Sequence, residues 1–564
     1  MIRTILDLGI LLSRQVLVAF FLLGGLAALL GWWRPAWLPG WSARHRRLVT
    51  VGGCLLAVTF LGIGLWYLTL EGFAGEVEPL VTSNSWLLEQ GQELYHPIDG
   101  AQQYSVLYGP SVFLTNGLFL KVLGPTLASA KAASFLAGVA SILLLFAAVS
   151  RRRNDPLPWA VTGCAILLFW SHGFGIYLVR PDSLLVFAAA FGIFTVRRAG
   201  PRLGVAGLAA VMGFAINLKV HGGLYFLPIL YLAYRSWGRR SLVWILAGSM
   251  LVVAAPFLLH PRISFLNYLT WLQNATLHGL TMQDLGLNLR FTFLLLLPLL
   301  GLAARTGFRR GIWRGQEGLL LSVFLSLGPV LVLAAKPGAG PVHLLPLVPI
   351  MAFVPALVWS SAGPADRALP YSRRVPARGM LAGAALTIAI AGLVSEYRAA
   401  MLVAWQQEQA PGLAAEVRGI MAKYPGLDIG MACGGENASF RWTWIRPLLV
   451  FADHPVLIDP ISVMDCCLAG RPLPPATQEA LGQGVVDVWL VPREQVPFAK
   501  VNWYPPHEPI FTPEFQQAFL AHHAMADRTE HFDLWFWKKD EGETPPGRPD
   551  WANAASVVGE VLAP

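Results

Sequence analysis

Charge is scarce in this chain. Only 13% of its residues are Asp, Glu, Lys or Arg, against about 25% in a soluble globular chain. That shortage excludes an ordinary soluble protein. Cysteine is scarce too, and five residues exclude a disulfide-dense scaffold. Long basic runs are missing. The formal net charge of +9 sits in short clusters between apolar runs, which is the pattern of cytoplasmic loops and not of a nucleic-acid surface. The apolar stretch up to Leu30 has no small-residue cleavage site and ends in aromatics, so it does not read as an ordinary cleavable signal. Internal repeats and low-complexity segments are absent as well. What is abundant is apolar surface: 55% of the residues are hydrophobic and the mean hydropathy is +0.53. The chain reads as an integral membrane protein.

The apolar runs fall into twelve expected spans. The first ends near Trp32, with Trp33, Trp37 and Trp41 as an interfacial belt and Arg44, Arg46 and Arg47 after it. The others cover about 49–70, 126–149, 159–178, 183–198, 203–218, a short run ending at Arg235, 242–259, 291–304, 319–335, 344–359 and 381–394. Every second loop carries about three or four Lys/Arg, and the loops between carry about one or none. By the positive-inside rule, residues 71–110 and everything after the twelfth span then face outward. Residues 1–400 form the polytopic membrane domain of about 12 helices. Residues 401–564 form a small extracytoplasmic α/β domain. In that tail the pattern predicts a helix over 414–423 and strands over 427–432, 456–459, 485–491 and 534–537. Cys433 pairs with Cys466 or Cys467, or all three are buried thiols; the sequence leaves both open.

Residues 71–110 carry Glu71, Glu76, Glu78, Glu89, Glu93 and Asp99 without one Lys or Arg. The apolar positions Val77, Leu80, Val81, Leu87 and Leu88 recur at helical spacing. The expected helix lies on the membrane with Glu78, Thr82 and Glu89 on its opposite face, and Gly91 caps its end. Acids crowded without a basic partner raise one another's pKa and favour a base or a metal role; a divalent cation is accordingly open as a cofactor. A single outward acid is otherwise simply solvated.

The second constellation is cationic. Arg180, Lys219, Arg262 and Lys336 each stand at the outer end of a span, with His221, His260 and His343 beside three of them. Ionisable groups at membrane depth are costly and point to function, although each alone also reads as a snorkelling anchor. Together they suit a substrate with a phosphate at the membrane and a sugar above it. In Arg180-Pro181-Asp182 the proline sets an extended turn, so that Arg180 ends one span and Asp182 begins the next. The plainer reading of that pair is an ion pair at a helix start. The glycines of residues 336–343 let backbone approach a ligand, or simply make a turn.

Read together, residues 76–78, 87–95 and 104–110, Arg180-Pro181-Asp182 and residues 336–349 make the chain resemble the C-type (GT-C) membrane glycosyltransferases. The likeness is greatest to the branch with protein O-mannosyltransferases and the lipid A aminoarabinose transferase. It covers roughly residues 49–359. The resemblance implies a polyprenyl-phosphate sugar donor and a catalytic acid in the first large outward loop. That acid is usually Asp; the matching residues here are Glu78 and Glu76. The implied reaction moves a sugar to a glycan, lipid or protein acceptor at the outer face of a bacterial inner membrane. In it Glu78 or Glu76 takes the acceptor proton. Arg180, Lys219, Lys336, His343 and His221 hold the donor phosphate, and Tyr104, Tyr108, Asp182 and Glu89 line the sugar or acceptor pocket. The rival readings are a secondary transporter using the same charges and a non-catalytic membrane scaffold.

Overall fold

Proline marks where several helices begin. An X-Pro step holds the preceding residue extended, and proline at the first helical position has no amide to leave unpaired. Gly109, Arg180 and Gly200 are extended N-caps before Pro110, Pro181 and Pro201. In the computed structural model, residues 43–150, 155–306, 313, 315–361, 371–504 and 507–538 are described. The first expected span, the Trp33, Trp37 and Trp41 belt, and the basic clusters at 151–153, 309–310, 314 and 367 lie outside them.

In chain order the helices are α1 (Ala43–Thr69), α2 (Val77–Glu89), α3 (Pro110–Leu123), α4 (Leu127–Val149), α5 (Leu157–Ser171), α6 (Pro181–Arg198), α7 (Pro201–Leu218), α8 (Leu227–Trp237), α9 (Arg239–Leu259), α10 (Phe265–Thr276), α11 (Met282–Thr306), α12 (Glu317–Leu333), α13 (Val348–Ser361) and α14 (Tyr371–Lys423). Each expected span from the second to the twelfth holds one of them. Among the described residues, seven helices are long and apolar enough to cross a membrane, and α3, α5 and α12 are shorter apolar helices. The protein is a polytopic helical membrane protein.

Some elements differ from expectation. The twelfth span and the tail helix over 414–423 are one continuous helix, α14, of 53 residues. Hydropathy drops between them, but residues 395–410 are rich in Ala, Met, Leu, Gln and Glu, good helix formers, so the backbone does not stop. Helices α3 and α10 lie in stretches given no element from sequence.

The chain divides into two compact units. Unit 1 comprises Met1–Leu68, Ser134–Ala255 and Leu280–Trp405. Its centre is α6, which packs on α7, α8 and the 3-10 turn Pro341–Leu347, while α13 packs on α5 and α11. Unit 2 comprises Thr69–Ala133, Pro256–Gly279 and Gln406–Pro564. It joins α2, α3 and α10 to the tail.

In the tail the strands are β1 (Ile429–Met431), β2 (Val488–Pro492), β3 (His523–Arg528) and β4 (Phe532–Trp537). They form one sheet of order β1-β2-β4-β3. β1 and β2 run parallel, with Gly430 opposite Trp489, and β2 and β4 run antiparallel, with Leu490 opposite Leu534. The expected strand over 456–459 is absent. Asp459 instead caps the helix Pro460–Leu468, its carboxylate accepting from Ile461 N at 2.9 Å, and only Ile458 makes an isolated bridge, to Gln103. β3 has no counterpart in the sequence reading, because its edge position pairs a weak alternation with Asp527 and Arg528. Cys433, Cys466 and Cys467 are free thiols.

Candidate active site

In unit 1 the site grows from a helical hairpin. Helices α6 and α7 have 18 residues each and are joined through Ala199 and Gly200. Antiparallel helices of equal length bring the start of the first beside the end of the second. Asp182, in the first turn of α6, thereby meets Lys219, the C-cap of α7. Lys219 Nζ donates to Asp182 Oδ1 at 2.7 Å, and Arg180 Nε lies 3.5 Å from Oδ2. Asp182 is fully buried and Lys219 nearly so. The turn after Lys219 is tight. A Cβ on Gly222 would lie 2.0 Å from the carbonyl oxygen of Ala215, so only glycine fits there.

The turn Pro341–Leu347 adds His343. Its Nδ1 is 3.0 Å from the Ala339 carbonyl, which requires a proton on Nδ1; Nε2 then accepts from Lys219 Nζ at 3.4 Å. Tyr225 Oη donates to His343 O at 2.8 Å. The His221 ring stacks on that of His343 at 5.3 Å. His221 Nε2 is buried without a hydrogen-bond partner among the described residues. Lys336 is near enough to His221 to act on it electrostatically. Arg180 and Lys219 thus flank a single carboxylate, with two imidazoles beside them and Lys336 near His221. Local positive charge is left in excess, on side chains that are partly accessible at Arg180, Lys336, His221 and His343. The expected ion pair at the start of α6 and the expected cation cluster are the same object. Arg262 and His260 belong to unit 2, where His260 Nδ1 accepts from the Arg262 amide at 3.4 Å.

In unit 2 the acidic segment is not a solvated surface helix. Along α2 Glu78, Pro79, Leu80, Val81, Thr82, Ser83, Asn84, Ser85 and Leu88 are all buried. The helix is packed against α3 and the short helix Pro447–Phe451, which sequence periodicity does not reveal. Its end matches expectation: Gly91 has φ +82°, Gln92 N bonds Leu87 O at 2.9 Å and Gly91 N bonds Leu88 O at 3.1 Å, a Schellman cap. The acids also have cationic partners, contrary to the sequence reading. Glu71 pairs with Arg418 at 3.3 Å and Glu89 with Lys121 at 3.1 Å.

Glu78 Oε1 accepts from the amides of Ala74 and Gly75, both at 2.9 Å. Glu76 is the half-buried N-cap residue and makes no side-chain cap bond. The two candidate bases therefore differ: Glu78 is buried and held by backbone, whereas Glu76 is not. Sequence reasoning missed Lys131. It is fully buried in the first turns of α4, donates to Leu70 O at 2.5 Å, lies 5.5 Å from the Phe73 ring and acts electrostatically on Glu78 and Glu71. A lysine inside an apolar run was the available signal.

Tyr104 and Tyr108 frame the other end of this segment. Asn84 Nδ2 donates to Tyr104 O at 2.8 Å, Tyr95 Oη donates to Tyr108 O at 2.7 Å, and the His96 ring meets Tyr104 edge-on at 4.1 Å. Burial lowers His96 to about 4. Burial first, and the charge of Glu93 second, push the Tyr104 hydroxyl upward. Tyr104 Oη and His96 Nε2 are buried without hydrogen-bond partners among the described residues. Of the described residues, Glu416, Glu530 and His531 have metal-ligand spacing, with ligand atoms within 4.8 Å of one another. Glu416 there already accepts from His531 N at 2.9 Å and contacts its Nδ1 at 2.5 Å.

No family model matches this chain, and no curated protein matches it in sequence. Solved structures do match it in fold. ArnT from Cupriavidus metallidurans bound to undecaprenyl phosphate aligns over 85% of this chain and 97% of its own, with a TM-score of 0.52 at 14% identity. The apo state of the same protein aligns over 86% and 97%, also at a TM-score of 0.52 and 14% identity. The chain thus shares the fold of ArnT.

Proposed function

We propose that this protein is a polyprenyl-phosphate-sugar-dependent glycosyltransferase acting at the outer face of a bacterial inner membrane. The observation that carries the reading is the cluster of Arg180, Lys219, His221 and His343 at Asp182, with Lys336 beside His221. Cations in excess of carboxylates, half-buried at the end of a helical hairpin, suit a phosphate ester at a membrane surface. That ArnT structure holds undecaprenyl phosphate, which supports the same class of donor here.

In the proposed reaction the acceptor hydroxyl oxygen attacks the anomeric carbon, and the bond from that carbon to the phosphate oxygen breaks. The phosphate leaves with the bonding pair, and the cationic cluster stabilises its growing charge. Glu78 takes the hydroxyl proton. Its two backbone N–H bonds hold Oε1 in place and favour the ionised form. Asp182 orients Lys219 and Arg180. Tyr104, Tyr108 and Glu89 are assigned to the sugar or acceptor side.

The direct test is incubation of the purified protein in lipid with a radiolabelled polyprenyl-phosphate sugar and cell-envelope acceptors. Release of free polyprenyl phosphate with label in an acceptor supports the reading. Uptake of label into sealed vesicles without transfer, or neither outcome, would overturn it.

A further inference from the structure

A groove of about 420 Å³ runs between α1 and α14 within unit 1. Thr59, Ile63 and Trp66 line it from α1, and Leu393, Glu396 and Tyr397 from α14. The proposed reaction uses none of these residues. The groove is apolar apart from one acid. Glu396 is only 7% exposed. Thr59, whose hydroxyl donates to Leu56 O at 3.2 Å, and Tyr177 both stand near enough to act on its carboxyl group. Its Oε1 is buried without a hydrogen-bond partner, and no Lys or Arg nitrogen pairs with it, among the described residues. A carboxyl group in such a setting is costly unless something supplies a partner.

The setting says what can reach it. Leu55, Val58 and Leu65 on the same helix are 61%, 66% and 46% exposed, as expected of a face turned to acyl chains. Counting from Arg46 at 1.5 Å per residue, Thr59 lies about 20 Å and Trp66 about 30 Å along α1, so Trp66 falls at the far headgroup boundary of a hydrocarbon core roughly 30 Å thick. The groove thus runs from that boundary at Trp66 down to Thr59, about 10 Å below it, and an acid in it, flanked by Trp66 and by Tyr397 at 54% exposure, is complementary to a small cation that a lipid carries into the groove. Aromatic faces attract such a cation, and a carboxylate bonds its N–H groups.

We propose that this groove binds a phospholipid with a primary ammonium head, of the phosphatidylethanolamine type. The ammonium bonds Glu396 and contacts the rings of Trp66 and Tyr397, and the acyl chains lie along the exposed apolar face of α1. A trimethylated head lacks N–H donors, and a glycerol head lacks the positive charge, so both bind less well.

The test is native mass spectrometry of the full-length protein after exchange into equal amounts of phosphatidylethanolamine, phosphatidylcholine and phosphatidylglycerol with matched chains. The expected result is several-fold preferential retention of phosphatidylethanolamine. Glu396→Gln should remove the preference, and Tyr397→Leu should reduce it. Equal retention of the three lipids, preference for phosphatidylglycerol, or unchanged preference in Glu396→Gln would each overturn the proposal. Absence of any retained lipid, as when residues 1–32 of the chain fill the groove, would overturn it too. If Glu396→Gln does not fold, Thr59→Val and Trp66→Leu give the same reading. Failure here leaves the glycosyl-transfer proposal untouched, since retention is read without turnover.

Discussion

Asp182 and Lys219 are 37 residues apart in sequence and 2.7 Å apart in space, both buried. A buried ion pair is weak support for stability, because desolvation offsets much of the attraction, yet losing one partner strands the other charge. Lys219→Met and Asp182→Asn should each cost roughly 3–5 kcal/mol. The double variant should recover much of that loss, and thermal unfolding in detergent measures it. Donor affinity should not recover with it, since Lys219 is assigned to the phosphate. A double variant that regains both would make the pair structural only.

The same cluster gives a binding prediction. A charge-assisted contact to an anion contributes roughly 1.5–3 kcal/mol, so Arg180→Ala and Lys336→Ala should weaken binding of a polyprenyl-phosphate sugar by about ten- to a hundred-fold. Arg262→Ala, an exposed residue of unit 2, is the control and should leave it unchanged. Calorimetry or competition with labelled donor reads the difference. Equal affinity in all variants would remove the phosphate pocket.

Glu78→Gln should lower turnover by about 10²–10⁴-fold with little change in donor affinity, as removal of a general base does. Glu76→Gln should have a small effect, because Glu76 is not held in place. If the large loss follows Glu76, the base is two residues earlier. If it follows neither, proton transfer does not limit the reaction.

Acid should weaken unit 2. His96 and His523 both sit near pKa 4 in the folded protein because burial disfavours their charged form, against about 6.5 when unfolded. Between those values the unfolded chain binds more protons, so stability is full above pH 6.5 and falls as pH drops towards 4. Each histidine should contribute a loss of roughly 2–3 kcal/mol over that window. His523→Phe keeps a ring against Phe519, on which His523 stacks at 4.4 Å, and should flatten the acid limb measured by limited proteolysis of the tail. An unchanged limb would assign the acid sensitivity elsewhere.

Sidedness is the prediction on which the site rests. Reporter fusions after Arg153, Arg198, Arg240, Arg314 and Arg378 should report cytoplasm, and fusions after Gly100 and Pro411 should report the outside. A cytoplasmic signal at Gly100 would put the carboxylates on the wrong face for the proposed donor.

Local chemistry determined much of this protein by itself. Apolar runs specify their helices wherever the run outlasts a few turns. Arg180-Pro181 and Gly200-Pro201 specify helix starts, because proline constrains its own φ and its neighbour. Gly91 specifies a helix end, because it adopts positive φ at no steric cost. Even the cation cluster was legible in outline, since basic residues at span ends stand out against an apolar background.

What needed tertiary structure is everything that depends on who packs against whom. Periodicity showed that α2 is a helix but not that both its faces are covered, so Glu78 read as solvated when it is buried. Partners such as Lys121 for Glu89 and Arg418 for Glu71 lie in other segments, and no local pattern names them. Residues 456–459 have strand composition, but a strand needs a ladder partner, and Asp459 is used to cap a helix instead. Lys131 is the plainest case. Its sequence neighbours describe an apolar helix, and only the fold brings Leu70 O, the Phe73 ring and Glu78 to its ammonium group. Burial and charge pairing are properties of assembled surfaces, so one segment read alone does not contain them.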